Sequence, residues 1–226
     1  MSGTQIPTIK LTTGDVVSLK ECDRVFAEVK TRCSTPSEAS SDLLAFSGIC
    51  SQWGLAGPAI FYVSKALDYA DDAGTKAKCY LRLGGLKEKE RDYTGAAMFY
   101  AEAFALEPGK DDVWYFLNNN LGYCLNRLGK QEKAEFYCRA AIEISPNRHN
   151  AYKNLGIAFD GQGKYVEAAR MFSRAAELCP QDPRALYHLR DLVKAHKEVI
   201  KEEPSILARL EALERFACAG RPGIIN

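Results

Sequence analysis

LGYCLNRLGKQEKAEFYCRAAIEISP (residues 121–146) aligns without a gap on LGIAFDGQGKYVEAARMFSRAAELCP (residues 155–180), at an offset of 34 residues. Leu121 matches Leu155, Gly122 matches Gly156, Gly129 matches Gly163, Lys130 matches Lys164, Ala134 matches Ala168 and Pro146 matches Pro180. Self-similarity at a fixed period of this size marks a chain built from stacked supersecondary units. The pattern inside each unit predicts two antiparallel helices of about thirteen residues. Such helices pack closely only where the facing side chains are small, which assigns Gly156, Ala168 and Ala175 to the contact. Leu155, Phe159 and Phe172 then fill the space between helices and reach the next unit. Pro180 ends the second helix because its ring cannot continue it. Each pair leaves an apolar face open, so stacking is obligatory.

The pattern resembles that of the tetratricopeptide repeat (TPR) family: an aromatic, Leu-Gly, an aromatic, Ala, an aromatic, Ala and a closing Pro. Residues 149–182 carry all of it in Tyr152, Leu155, Gly156, Phe159, Ala168, Phe172, Ala175 and Pro180. Residues 115–148 keep Leu121, Gly122, Ala134, Ala141 and Pro146, with Asn118, Leu125 and Cys138 at the three aromatic places. Residues 77–110 keep Tyr80, Leu83, Gly84, Ala96, Tyr100, Ala103 and Pro108, but have Lys87 at the second aromatic place and Arg91 where the inter-helix glycine falls. The resemblance implies an all-α fold, a right-handed α-α superhelix of stacked helix-turn-helix repeats with extra N- and C-terminal helices.

Between Pro108 and the next copy lie four extra residues, within EPGKDDVWYF, close to one helical turn. Asp111 or Asp112 is expected to cap a helix lengthened by that turn. Upstream, residues 41–74 read as a degenerate helical pair or cap, with Ala59, Val63 and Ala66 at the second-helix spacing. Within an N-terminal segment 1–40, Val16, Leu19, Cys22, Phe26 and Val29 predict one amphipathic helix over 15–33, after a short strand or a disordered stretch over 1–14. Residues 183–197 read as a capping helix, 204–219 as a C-terminal helix and 220–226 as a loose tail.

Thirty basic and twenty-nine acidic side chains give a formal charge of +1, so no global field draws the chain onto nucleic acid or anionic lipid. No apolar run is long enough to insert in a membrane, and a cytoplasmic protein is expected. The eight cysteines form no CxxC pair and no Cys/His cluster at ligand spacing, so they read as reduced core thiols, and no metal or other cofactor is expected. His149, His188 and His196 are the only histidines, and the last two are eight residues apart, not the i, i+4 spacing of a helical metal pair. Gly84-Gly85 and the Gly161-x-Gly163 stretch fall at repeat positions and lack the Lys-Ser/Thr of a phosphate loop. KEKER (87–91) and KEVIKEE (197–203) read as solvated helix faces. Trp53, Phe61, Tyr62 and Tyr69 read as an aromatic core stripe. Nothing here assembles an active site, and no enzyme is expected.

In TPR arrays the first helix of each pair lines a concave groove. The register places Lys78 and Arg82 there from residues 77–110, Asn119, Asn120 and Tyr123 from the next copy, Asn150, Lys153 and Asn154 from the third, and Arg184, Tyr187 and His188 from the capping helix. Such a groove is amide-rich and modestly basic. Asn pairs with the main chain of an extended peptide, while Lys and Arg favour an acidic residue or a terminal carboxylate. Some TPR co-chaperones hold a C-terminal carboxylate with Lys, Asn, Asn, Lys and Arg at set positions. Here Asn120 or Asn154 fits the middle Asn and Arg184 one basic place, whereas Asn119, Tyr123 and His188 replace the first Lys, the first Asn and the final Arg. The expected function is a scaffold or adaptor that binds an extended or helical, acidic segment of another protein. The alternatives are a structural or self-assembling subunit, with which a homo-oligomer is compatible, and an enzyme with its site in the N-terminal segment.

Overall fold

The computed structural model describes residues 6–109 and 112–219. The tail at 220–226, the side chain of Cys218 and the candidate cap Asp111 lie outside the described residues. Two compact units divide the chain, Met1–Gly109 and Lys110–Asn226.

The first unit opens with an antiparallel hairpin of β1 (Thr8–Lys10) and β2 (Val16–Ser18), in which Ile9 sits opposite Val17. Helix α1 runs only from Cys22 to Arg32, which corrects the expected helix over 15–33. Val16 and Val17 are β-branched and alternate, one exposed and one buried, as a half-covered strand requires. The Glu21 carboxylate accepts the Ser18 N–H at 3.1 Å and turns the chain before the helix starts. Glu28 of α1 accepts the Thr12 N–H at 2.7 Å, tying the hairpin loop to that helix.

Helices α2 (Pro36–Gln52) and α3 (Ala56–Tyr69) form the pair upstream of the recognisable copies. Thr35 and Glu38 make a reciprocal capping box ahead of Pro36. Ala59, Val63 and Ala66 are fully buried, and Ser47 and Ser40 donate their hydroxyls to the Ala59 and Ala66 carbonyls at 2.8 Å. Tyr62, also fully buried, donates to the Leu19 carbonyl at 2.8 Å. Trp53 does not join this core. It sits at the C-cap of α2, before Gly54, and is 45% exposed, because the chain has already left the face that meets α3.

Helices α4 (Ala73–Lys89) and α5 (Tyr93–Ala105) complete the unit, and a Cβ added at Gly84 would overlap the Tyr100 ring. Arg91 takes the inter-helix turn at φ +61°, with its N–H on Glu88 O at 2.9 Å and the Asp92 N–H on Lys87 O at 3.0 Å. Gly129 and Gly163 make the same two-bond turn at φ +72° and +74°.

The second unit pairs α6 (Asp112–Arg127) with α7 (Gln131–Ile144) and α8 (His149–Gly161) with α9 (Tyr165–Leu178). Asp112 is the first residue of α6, inside its first turn. Gly156 meets the Phe172 ring: a Cβ there would lie 2.5 Å from Cε1 and 2.6 Å from Cδ1, nearer than any atom of Ala168 or Ala175. That refines the contact assigned from sequence to an aromatic ring laid on bare backbone. Gly122 stands in the same way over the Cys138 thiol. Helices α10 (Arg184–Ala195), α11 (Glu198–Glu202) and α12 (Ser205–Ala219) close the stack. Val199, Ile206 and Leu210 cover the apolar face left by α9 and α10, so the last pair is not open to water. No helix among the described residues is long and apolar enough to cross a membrane.

Candidate partner-binding site

In the second unit the first helices α6 and α8 pack directly on one another. Their facing positions are polar. Asn154 Nδ2 donates to Asn119 Oδ1 at 3.0 Å, and Asn126 Nδ2 donates to the Asn154 carbonyl at 2.7 Å. Asn119 Nδ2 in turn donates to Asn120 Oδ1 at 3.0 Å. Asn119, Asn126 and Asn154 are buried. Asn119 and Asn154, expected to face a ligand, are therefore corrected to struts between helices: a small amide fits the inter-helix gap and donates across it, while Asn154 Oδ1 and Asn126 Oδ1 are buried without a hydrogen-bond partner among the described residues.

One position before Asn154, Lys153 is only 7% exposed. Among the described residues its ammonium has no hydrogen-bond or ion-pair partner. Burial, and then the nearby Arg184 guanidinium, push its pKa below the ordinary lysine value, with Asp182 acting the other way. The ammonium borders a pocket of about 400 Å³ walled by three helices. Tyr123, Asn126 and Arg127 come from α6, Lys153 and Ile157 from α8, and Arg184 and His188 from α10.

Two of these side chains are held by neighbours. Asp182 grips the Arg184 guanidinium with both oxygens, Nε to Oδ1 at 2.8 Å and Nη2 to Oδ2 at 2.5 Å, and accepts the Arg184 N–H at 3.1 Å. His149 Nε2 lies 3.0 Å from the same carboxylate. The Arg184 contact above all holds the Asp182 pKa well below the usual carboxylate range. His188 stacks on Phe172 with centroids 5.1 Å apart and planes at 13°. Burial and then the Lys153 charge lower its pKa.

Of the residues singled out from sequence, the fold brings together Tyr123, Lys153, Arg184 and His188. Asn150 is half-buried early in α8, away from the pocket lining, and Tyr187 is 46% exposed with the Arg190 guanidinium 5.8 Å from its ring centroid. Lys78 and Arg82 belong to α4 of the first unit, where the Arg82 guanidinium covers Gly48 of α2. Sequence reasoning missed Asn126, Arg127 and Ile157. Each lies one turn after a chosen residue, three or four positions beyond Tyr123 or Lys153, a spacing that keeps them on the same helix face.

Tetratricopeptide repeat models match residues 117–148 and 149–182, the two helix pairs whose first helices, α6 and α8, wall this pocket together with α10. The chain is a tetratricopeptide repeat protein. This TPR chain is 25% identical over 165 residues to tetratricopeptide repeat protein 37 of Xenopus laevis, covering 62% of the chain and 10% of that protein. It is 30% identical over 116 residues to the photosystem I assembly protein Ycf3 of Synechococcus sp. (strain CC9605), covering 48% of the chain and 66% of that protein. The chain thus spans about a tenth of the length of the first curated relatives it matches. Among solved structures it resembles BtubC from P. vanneervenii, with a TM-score of 0.67 at 19% identity over 92% of the chain and 91% of that one. It also resembles YrrB, described as a TPR protein with an unusual peptide-binding site, with a TM-score of 0.57 at 22% identity over 76% and 85% of the two chains. At these identities the structural likeness speaks for the TPR fold alone.

Proposed function

We propose that this TPR protein is an adaptor that holds an acidic segment of a partner protein in the concave pocket of its second unit, without covalent chemistry. One observation supports this most strongly: Lys153, largely buried and without a hydrogen-bond or ion-pair partner among the described residues, lines a pocket of about 400 Å³. A buried ammonium is costly unless something neutralises or pairs it. An anionic ligand supplies that pairing, and Arg184 and Arg127 add two more cations on neighbouring helices.

The test is affinity capture from the source cell with the intact chain and with Lys153→Met, which keeps the apolar stem and removes the charge. Circular dichroism should show the variant fully helical and at least as stable as the parent. The variant is expected to lose a partner that the parent retains, and that partner's bound segment should contain acidic residues. A folded Lys153→Met protein that retains every partner of the parent overturns the proposal.

A further inference from the structure

We infer that a second copy of this chain docks on the outer face of α12, forming an antiparallel two-fold pair of these helices centred on Ala212. Helix α12 has two distinct faces. Ile206, Leu210, Leu213 and Ala217 recur at helical spacing and pack into the core of the second unit. Turned away from that core are Ala208, Ala212 and Phe216, each four residues from the next and all exposed to solvent. Phe216 is 59% exposed and makes no ring contact among the described residues. The face thus carries a large apolar ring at one end and two methyl side chains beside it.

Charge and size select the occupant. Arg190 Nε donates to Glu214 at 2.8 Å and Arg209 lies 3.9 Å from Glu177, so these two α12 charges are engaged within the unit. Glu211 and Arg215 are exposed, and among the described residues neither has a hydrogen bond or an ion pair. They stand one turn apart, on the same flank of the Ala208, Ala212 and Phe216 stripe. An isologous contact must be self-complementary, with residue i meeting j and j meeting i. A two-fold axis at Ala212 sets residues equally far on either side of it opposite each other in the two copies. Phe216 of one copy then lies over Ala208 of the other, and Ala212 meets its own counterpart where the helices come closest. Glu211 faces Arg215 of the other copy, about 3 Å off level at 1.5 Å of rise per residue, an offset these long side chains span. A parallel pair would instead set acid on acid, base on base and ring on ring, so the charges favour the antiparallel one. None of these residues lines the Lys153 pocket, so the inference stands apart from what that pocket holds. A single helix face buries less than the roughly 1,200 Å² at which stable interfaces begin, so a weak, reversible dimer is expected.

The experiment is analytical ultracentrifugation of the reduced full chain at neutral pH and low salt, from about 10 to about 500 µM, the span in which a weak dimer assembles. The dimer fraction is expected to rise across that span. Phe216→Ser, Glu211→Arg and Arg215→Glu should each keep the parent's circular dichroism and raise the dimer Kd at least about fivefold. Mixing the Glu211→Arg and Arg215→Glu variants tests the pairing itself. In the mixed dimer every cross-helix contact joins opposite charges, so it should form at least as tightly as the parent dimer. This result stands even if Phe216→Ser fails to fold. A parent that stays monomeric throughout overturns the inference. A dimer that none of the three substitutions weakens overturns α12 as its seat, and a mixture that recovers no dimer overturns the antiparallel pairing. Removing residues 220–226 is expected to leave dimerisation unchanged, and a dimer that forms only after their removal gives the face to that segment instead of to a second copy.

Discussion

Replacing Gly156 by alanine adds one methyl carbon where the structure has no room for it. The new Cβ would lie 2.5 Å from Phe172 Cε1, 2.6 Å from Cδ1 and 3.0 Å from Cζ. A glycine inside a helix is worth about 1 kcal/mol less than alanine, so intrinsic propensity favours the substitution by that amount. Against it stands overpacking, at roughly 1–3 kcal/mol, because Phe172 is fully buried and its ring is also stacked on His188. The clash wins, and a net loss of about 1 kcal/mol or more is expected. Gly85 supplies the internal control: a Cβ there meets only the Tyr100 hydroxyl oxygen at 3.9 Å, so Gly85→Ala should gain up to about 1 kcal/mol. Urea unfolding followed by circular dichroism measures both. A double-mutant cycle with Phe172→Leu separates ring contact from propensity, since the smaller side chain should recover part of the Gly156→Ala loss. If Gly156→Ala is as stable as Gly85→Ala, or if the two losses add without coupling, the ring-on-glycine contact is not what requires glycine at this position.

Arg91→Gly should stabilise the first unit by about 1 kcal/mol, because Arg91 sits at φ +61° where the other two copies have Gly129 and Gly163; a melting temperature unchanged or lowered would show that the arginine side chain compensates the strain. Thiol titration of the denatured, unreduced chain should find eight cysteines, and in the folded chain Cys50, Cys79 and Cys138 should react last, since burial pushes their pKa values up to about 11, about 11 and about 12; a count below eight contradicts the reading of free thiols. Asp182 has a depressed folded pKa, so its contribution is complete above the ordinary aspartate pKa of about 3.9 and fades as pH falls through the folded value. Asp182→Asn should therefore lower stability at pH 5–7 and converge on the parent in strong acid, and a parent–variant gap that does not shrink in acid would remove Asp182 as the source.

The helix pairs were legible because their packing is written at fixed positions. Gly84, Gly122 and Gly156 each stand sixteen residues before the side chain that covers them, Tyr100, Cys138 and Phe172. The hairpin was not, since Val16 and Leu19 stand at helical spacing while Val17 and Leu19, two apart and both buried, suit a strand, and only the pairing of Val17 with Ile9 decides between them. In the site, Lys153, Tyr123, Arg184 and His188 were reachable from register alone. The burial of Asn119 and Asn154 was not, because an amide suits a wet groove and a dry helix contact equally well, and the choice depends on how closely α6 approaches α8. Trp53 misled for a related reason: an aromatic at helical spacing predicts core only while the helix continues, and α2 stops at Gln52.

The division of labour between repeat signature and pocket follows from one side chain. Phe172 has one face against the Gly156 backbone and stacks on the His188 ring at the pocket wall. The position that makes the repeat pack therefore also supports a residue that the repeat does not specify. Lys153 is placed in a comparable way, since its neighbour Asn154 is pinned between Asn119 and Asn126, and the helix turn between them fixes where the lysine stem emerges. Side chains held by such buried contacts lose little further freedom when a ligand arrives, which lowers the entropic cost of binding. Changes at the signature positions are thus expected to alter ligand affinity as well as stability.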